Sequence, residues 1–330
     1  MTIKVSKPSI NIREKLSELE QDTGLKGQEL MRSETVAEAR TAIGAGRKNL
    51  IINGGMDVWQ RGTSFIDPSD GYGSYTADRW STYYASTLTE KQTNTVDGSL
   101  MNTLKCSGGS GSFPYIYQKI EQGSKLISGK EVTVSFWYKS TATMILEYRY
   151  GTSTVPTSST MGYSYVDTSI AATSSWVKYT KTFTPVDSSS SVELDRWIGI
   201  WFFTLGNTDV IELANVQLEL GSVATDFEHR SYGEELALCQ RYYETGITEY
   251  FGIVSNGNAE SVMGYFAVTK RAMPSISLTN NANSSRFNST PINASGISTG
   301  SFLDKRSETG NAGSVYEHSF STVWTANAEL

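Results

Sequence analysis

Strict alternation of apolar and polar side chains is the feature that most limits what this chain can fold into. Val132, Val134, Phe136 and Tyr138 alternate with Thr133, Ser135, Trp137 and Lys139. Successive side chains of a strand point to opposite faces, so the run predicts a β-strand with one face on a core. Met144, Leu146, Tyr148 and Tyr150 alternate in the same way with Ile145, Glu147 and Arg149. Val177, Tyr179 and Phe183 alternate with Lys178, Thr180 and Thr182, and Ala214, Val216, Leu218 and Leu220 close the set. Residues 197–205 are apolar at both parities, as a central strand covered on both sides would be. Turn-rich stretches at 107–112, 152–160 and 187–191 lie between these runs, with no helical pattern among them. The expectation is a mainly β chain with a jelly-roll-like β-sandwich over residues 47–230, not an alternating α/β fold.

The flanks read differently. At roughly 100–200 residues per domain, 330 residues predict two domains, or three with a small one. Ile12, Leu16 and Leu19 form one stripe of a short helix. Thr35 and Glu38 make a capping box for a second, with Val36, Ala39 and Ile43 as its stripe and Gly44 at its end. Helices this short cannot bury a core alone. Residues 1–46 are therefore expected to dock, either on the chain's own body or on another protein or copies of themselves, and a Gly-rich exit favours the second. Ser231 and Glu234 make a further capping box, and Leu236, Cys239, Gln240 and Tyr243 continue at helical spacing over 234–244. Strands are expected again at 261–270, 275–279 and 315–324, with polar loops over 280–299. Residues 231–330 thus read as a linking helix and a small C-terminal β domain. So little core suggests completion by neighbouring copies.

Composition narrows the function. The net charge is −6, and Lys and Arg are spread singly, so no basic face marks a nucleic-acid binder. No apolar run nears the ~20 residues that span a bilayer. Two cysteines, Cys106 and Cys239, make neither a disulfide framework nor a metal spacing. No phosphate loop, dinucleotide fingerprint, zinc motif or nucleophile elbow is present. His229 and His318 read as structural or exposed histidines. Asp57, Asp67, Asp70 and Asp78 lie among Trp59, Tyr72, Tyr75 and Trp80. Carboxylates beside aromatics suit a sugar site, and equally suit turn chemistry. Trp137, opposite an apolar strand face, is either packed under a flap or a stacking platform. Tyr and Trp bind sugars well, because the C–H face of a pyranose packs on the ring while nearby polar groups bond hydroxyls. Trp59, Tyr72, Tyr75 and Trp137 are the expected carbohydrate-binding residues. No catalytic residue, cofactor or metal ligand is expected.

The run from Asn49 to Gly62 (NLIINGGMDVWQRG), followed by Tyr75 to Trp80 (YTADRW), resembles the opening of the sandwich domain in bacteriophage tail-fibre and virion proteins. Val132 to Ser140 and Ala214 to Arg230 resemble that family's middle and closing strands. Arg241 to Glu244 (RYYE), Lys270 to Pro274 (KRAMP) and Trp324 to Leu330 (WTANAEL) resemble the C-terminal domain that follows it. The sandwich is also similar to carbohydrate-binding modules, which often open with N-G-x-F-E and close with an acidic residue near a structural calcium. Here Asp57 stands at the Glu position, but Ala214 stands at the closing acidic one. The resemblance implies a trimeric virion structural protein without enzyme activity. Its N-terminus (Ile12, Leu16, Leu19, Val36, Ile43) would anchor to tail or portal-proximal proteins, and its β domains would bind host-surface glycan. A polysaccharide depolymerase and a ligand-free structural connector are the alternatives.

Overall fold

The alternating runs pair into two antiparallel six-stranded sheets. The computed structural model describes residues 48–67, 74–151, 161–188, 196–255, 259–283, 293–307 and 315–329. The leader helices expected within 1–46, with Ile12, Leu16, Leu19, Val36 and Ile43, lie outside these residues, as do Asp70 and Tyr72. Sheet 1 runs in the order β1 (Ser64–Ile66), β4 (Leu88–Val96), β5 (Ser99–Ser107), β12 (Val210–Leu220), β7 (Val132–Ser140), β10 (Thr173–Phe183). Sheet 2 runs β2 (Ser74–Tyr75), β3 (Ser81–Thr82), β6 (Tyr115–Ile120), β11 (Trp197–Phe203), β8 (Met144–Gly151), β9 (Gly162–Ile170).

Val132, Val134, Phe136 and Tyr138 face Ile198, Ile200, Phe202 and Leu146 in one core between the sheets. The strand β11 is buried along its whole length between β6 and β8, as its two-sided apolarity requires. Asn49 to Leu330 form one compact unit, mainly β, with a jelly-roll-like sandwich as expected.

Some elements carry no alternation. The hairpin β4–β5 is rich in Thr, Lys and Asn on both faces because it lies toward the edge of sheet 1. Its local signal is Asp97-Gly98, both at positive φ in a two-residue turn. The strands β6 and β9 and a short helix α1 (Gly123–Ile127) were likewise unmarked.

Helix α2 (Tyr232–Gln240) begins at the expected capping box, with Ser231 and Glu234 bonded reciprocally. It ends before the expected Glu244. From Tyr243 the chain becomes β13 (Tyr243–Ser255), which pairs along its whole length with β18 (Val315–Asn327). Thirteen paired positions outweigh one more helical turn. β15 (Ser275–Asn283) completes that sheet, and β14 (Ala259–Tyr265), β17 (Ser301–Ser307) and β16 (Asn293–Ser295) form a second. The polar stretch expected as loops over 280–299 therefore includes the end of β15 and all of β16. Phe302, Trp324 and Ala326 make the small core of this part.

Candidate functional site

Alternation sends half of each inner strand's side chains away from the core. On β6 and β11 of sheet 2 most of these outward positions are aromatic. Tyr115 and Tyr117 of β6 join Trp197, Trp201 and Phe203 of β11 in a buried cluster distinct from the core between the sheets. Two glycines let the indoles lie down on the backbone. Trp197 pairs with Gly151, where a Cβ would stand 2.8 Å from its ring. Gly199, between the two tryptophans, would put a Cβ 2.7 Å from Trp201. Trp201 then stacks on its cross-strand partner Tyr117, centroids 5.0 Å apart and planes 4° from parallel.

Around this floor stand Tyr83, Tyr84, Phe113, Ile145 and Met161, all half-buried. On β9, Tyr163 and Tyr165 are 61% and 55% exposed and project opposite Arg149 and Glu147. Their rings meet edge to face at 5.8 Å.

A few polar groups are set into the aromatic face. Arg149 lies 5.3 Å from the Tyr115 ring, 5.4 Å from Trp201 and 5.9 Å from Tyr163, and pairs with Glu147. Burial raises the Glu147 pKa, while Arg149 opposes the shift. The Lys119 ammonium sits 5.1 Å from Trp197, and burial pushes its pKa down to about 7. The indole N–H of Trp201 is buried and has no hydrogen-bond partner among the described residues. An unpaired buried donor costs about 1–3 kcal/mol. The arrangement is an enclosed aromatic cluster bordered by two exposed tyrosines and sparse, fixed polar groups; the Tyr163 and Tyr165 rings suit a ligand with alternating C–H and hydroxyl surfaces.

The residues singled out from sequence lie elsewhere. Trp59 is half-buried; its indole donates to the Met56 carbonyl at 2.8 Å and its ring stacks on Phe65. Tyr75 is half-buried beneath the Arg61 guanidinium, 5.1 Å from its ring, and burial raises its phenol pKa. Trp137 is half-buried on the outer face of sheet 1, opposite Lys178 and Ala214, and so does not meet Tyr75 of sheet 2.

The aspartates are engaged in local structure. Asp67 accepts from Ser74 at 2.6 Å and Thr82 at 2.8 Å, and Asp78 accepts from the Gln60 amide at 3.0 Å. Asp57 accepts from Asn102 at 2.7 Å, and Ala214 offers no side-chain oxygen. Among the described residues no group of three His, Cys, Asp or Glu side chains could hold a metal. The floor itself was missed because residues 197–205 read as merely covered. Its signal was three same-parity aromatic pairs: Tyr115 and Tyr117, Trp197 and Trp201, Tyr163 and Tyr165.

No protein-family profile matches the chain. No curated protein matches it either. Solved structures resemble parts of it. The xylan-binding CBM22-1 domain of Paenibacillus barcinonensis Xyn10C aligns over 49% of this chain and 94% of its own, at 12% identity and a TM-score of 0.32. The family 11 carbohydrate-binding module of Clostridium thermocellum Lic26A-Cel5E covers 49% of this chain and 97% of its own, at 16% identity and a TM-score of 0.30. The enzymatically active domain of bacteriophage CBA120 tailspike protein 4 covers 52% of this chain and 21% of its own, at 13% identity and a TM-score of 0.32.

Proposed function

We propose that this chain is a non-catalytic carbohydrate-binding protein of a phage tail fibre or related virion part. It binds host-surface glycan on the outer face of sheet 2. In this reading residues 1–46 attach it to the particle and the chain works as a homotrimer, as the motif resemblance implies. One observation carries the binding site: exposed Tyr163 and Tyr165 stand on one face of β9, opposite Arg149 and Glu147 and at the border of a buried aromatic cluster. Single exposed aromatics are ordinary, but two on one strand face, backed by such a cluster, offer rings for stacking.

The test is binding of purified host capsular polysaccharide and lipopolysaccharide, arrayed as fragments, to the wild type and to a Tyr163→Ala/Tyr165→Ala variant. The wild type binds at least one fragment, and the variant binds it at least tenfold more weakly. Release of oligosaccharides during incubation would defeat the non-catalytic reading. Deleting residues 1–46 leaves a folded protein that no longer joins particles; incorporation of the truncated chain would defeat the anchor.

A further inference from the structure

The opposite face of the sandwich has a different chemistry. On the outer side of sheet 1, Trp137 of β7 and Trp176 of β10 are half-buried, and neither belongs to a hydrophobic cluster of the described residues. Both indoles keep part of their surface open, whereas the Trp80, Trp197 and Trp201 side chains are fully enclosed.

A continuous polar row crosses the strands beside these indoles. Asn94 of β4 donates to Thr103 of β5 at 2.8 Å and to Glu212 of β12 at 3.5 Å. Glu212 pairs with Lys139 of β7 at 2.8 Å, and the Lys139 ammonium sits 4.9 Å from the Trp176 ring on β10. Strands lie roughly 4.8 Å apart, so the row spans roughly 19 Å. Lys105 is likewise matched, by Glu90 at 3.5 Å.

Lys178 differs. It is exposed, stands directly opposite Trp137, and has no carboxylate within ion-pair distance among the described residues. The face thus presents a stacking ring, an uncompensated ammonium beside it, and a row of donors and acceptors.

We infer that the outer face of sheet 1 is a second saccharide site, and that its ligand is an acidic polysaccharide. A uronic acid unit packs its C–H face on Trp137 and sets its carboxylate against Lys178. Neighbouring units extend to both sides, with hydroxyls on Lys139, Glu212 and Asn94 toward β4 and a further ring on Trp176 of β10. The charge complementarity is local, because the whole chain is acidic. This site shares no residue with the Tyr163 and Tyr165 surface, so the two stand or fall separately.

Affinity electrophoresis in gels containing polygalacturonate, alginate or polysialic acid tests it, with carboxyl-reduced polygalacturonate as the neutral control. Wild-type protein is retarded by at least one acidic polymer and at least fivefold less by the neutral one. Trp137→Ala abolishes the retardation. Lys178→Gln weakens it at least threefold at low salt, and the remaining binding loses most of its salt dependence. Tyr163→Ala/Tyr165→Ala leaves it unchanged. Circular dichroism of each variant confirms the fold, and Trp176→Ala supplies a second stacking variant. Retardation by none of the acidic polymers, equal retardation by the neutral control, or wild-type behaviour of both Trp137→Ala and Lys178→Gln overturns the inference. Loss of retardation only in the Tyr163→Ala/Tyr165→Ala variant assigns the binding to sheet 2 and overturns it equally.

Discussion

Arg79 and Glu329, 250 residues apart, form a buried ion pair that ties the sandwich to the last residues of the C-terminal part. The Arg79 guanidinium lies 3.6 Å from the Tyr242 ring centroid and donates to the Lys119 carbonyl at 2.8 Å. Arg61 lies 3.6 Å from the Tyr243 ring centroid and also reaches Glu329, at 3.1 Å. One carboxylate therefore sits between two arginines stacked on neighbouring tyrosines.

Removing that carboxylate leaves two largely buried guanidinium groups less compensated. Glu329→Ala is expected to lower the free energy of unfolding by about 3 kcal/mol, within the range for breaking a buried pair. Urea unfolding of the full chain checks it. A change under about 1 kcal/mol would show that water or neighbouring groups replace the pair.

Gly199→Ala has nowhere to place its methyl group. The Cβ would meet the Gln118 carbonyl oxygen at 2.4 Å and the Trp201 ring at 2.7 Å. Overpacking of this kind costs about 1–3 kcal/mol. Gly233→Ala, in α2 with open space around it, is expected to be neutral or stabilising by up to about 1 kcal/mol. Thermal denaturation of the two variants side by side reads the contrast.

Stability should depend on pH through Lys119. Burial depresses its folded pKa to about 7, with Arg79 and Arg271 adding to the shift and Glu329 opposing it. An unfolded lysine keeps its proton to about pH 10. Above pH 7 the unfolded chain therefore binds more protons, and stability rises with pH by up to roughly 1.4 kcal/mol per unit. Cys106 acts in the other direction. Burial raises its thiol to about 12, so stability falls once the unfolded thiol ionises above about pH 8.5. Burial raises the Cys239 thiol too, so above about pH 8.5 the two thiols together outweigh Lys119 and the expected maximum lies near about pH 8–9; Lys119→Met removes the rising limb. Denaturant titrations at pH 6, 7, 8, 9 and 10 measure both limbs.

Trp201→Phe probes whether the enclosed cluster meets the ligand. It removes an unpartnered donor, which offsets much of the cavity left by the smaller ring. Stability should change by no more than about 1 kcal/mol, and glycan affinity should stay within about twofold, because the fully enclosed indole does not reach the surface. A loss of affinity of about tenfold would show that the cluster opens to the ligand.

The sequence motifs that suggested a family prove to be the fastening points of the frame. Asn53, in the opening motif, is fully buried; its side chain donates to the Val58 and Asp78 carbonyls and accepts from the Asp57 and Val58 amides. Its backbone carbonyl receives the Trp80 indole at 2.9 Å. Arg79 belongs to the second motif, Tyr242 to RYYE and Glu329 to the closing one. Trp59 and Tyr75 drew attention as aromatics near carboxylates, and they sit within or beside this fastening. The aromatic floor carried no such motif. Only its strand parity marked it, and β6 and β9 were too short or too polar to announce themselves as strands.

Element type and the inward face of each strand follow from the order of the residues alone. Period-two alternation is a property of neighbouring residues, and burying one face of many short strands leaves few solutions besides a sandwich. The capping box at Ser231 is local in the same sense. Tertiary structure alone decided which strands lie side by side, and hence that Tyr117, Trp201, Arg149 and Tyr163 share one face while Trp137, Lys178 and Glu212 share the other. Those groupings depend on pairings between distant segments, whose order no local pattern encodes.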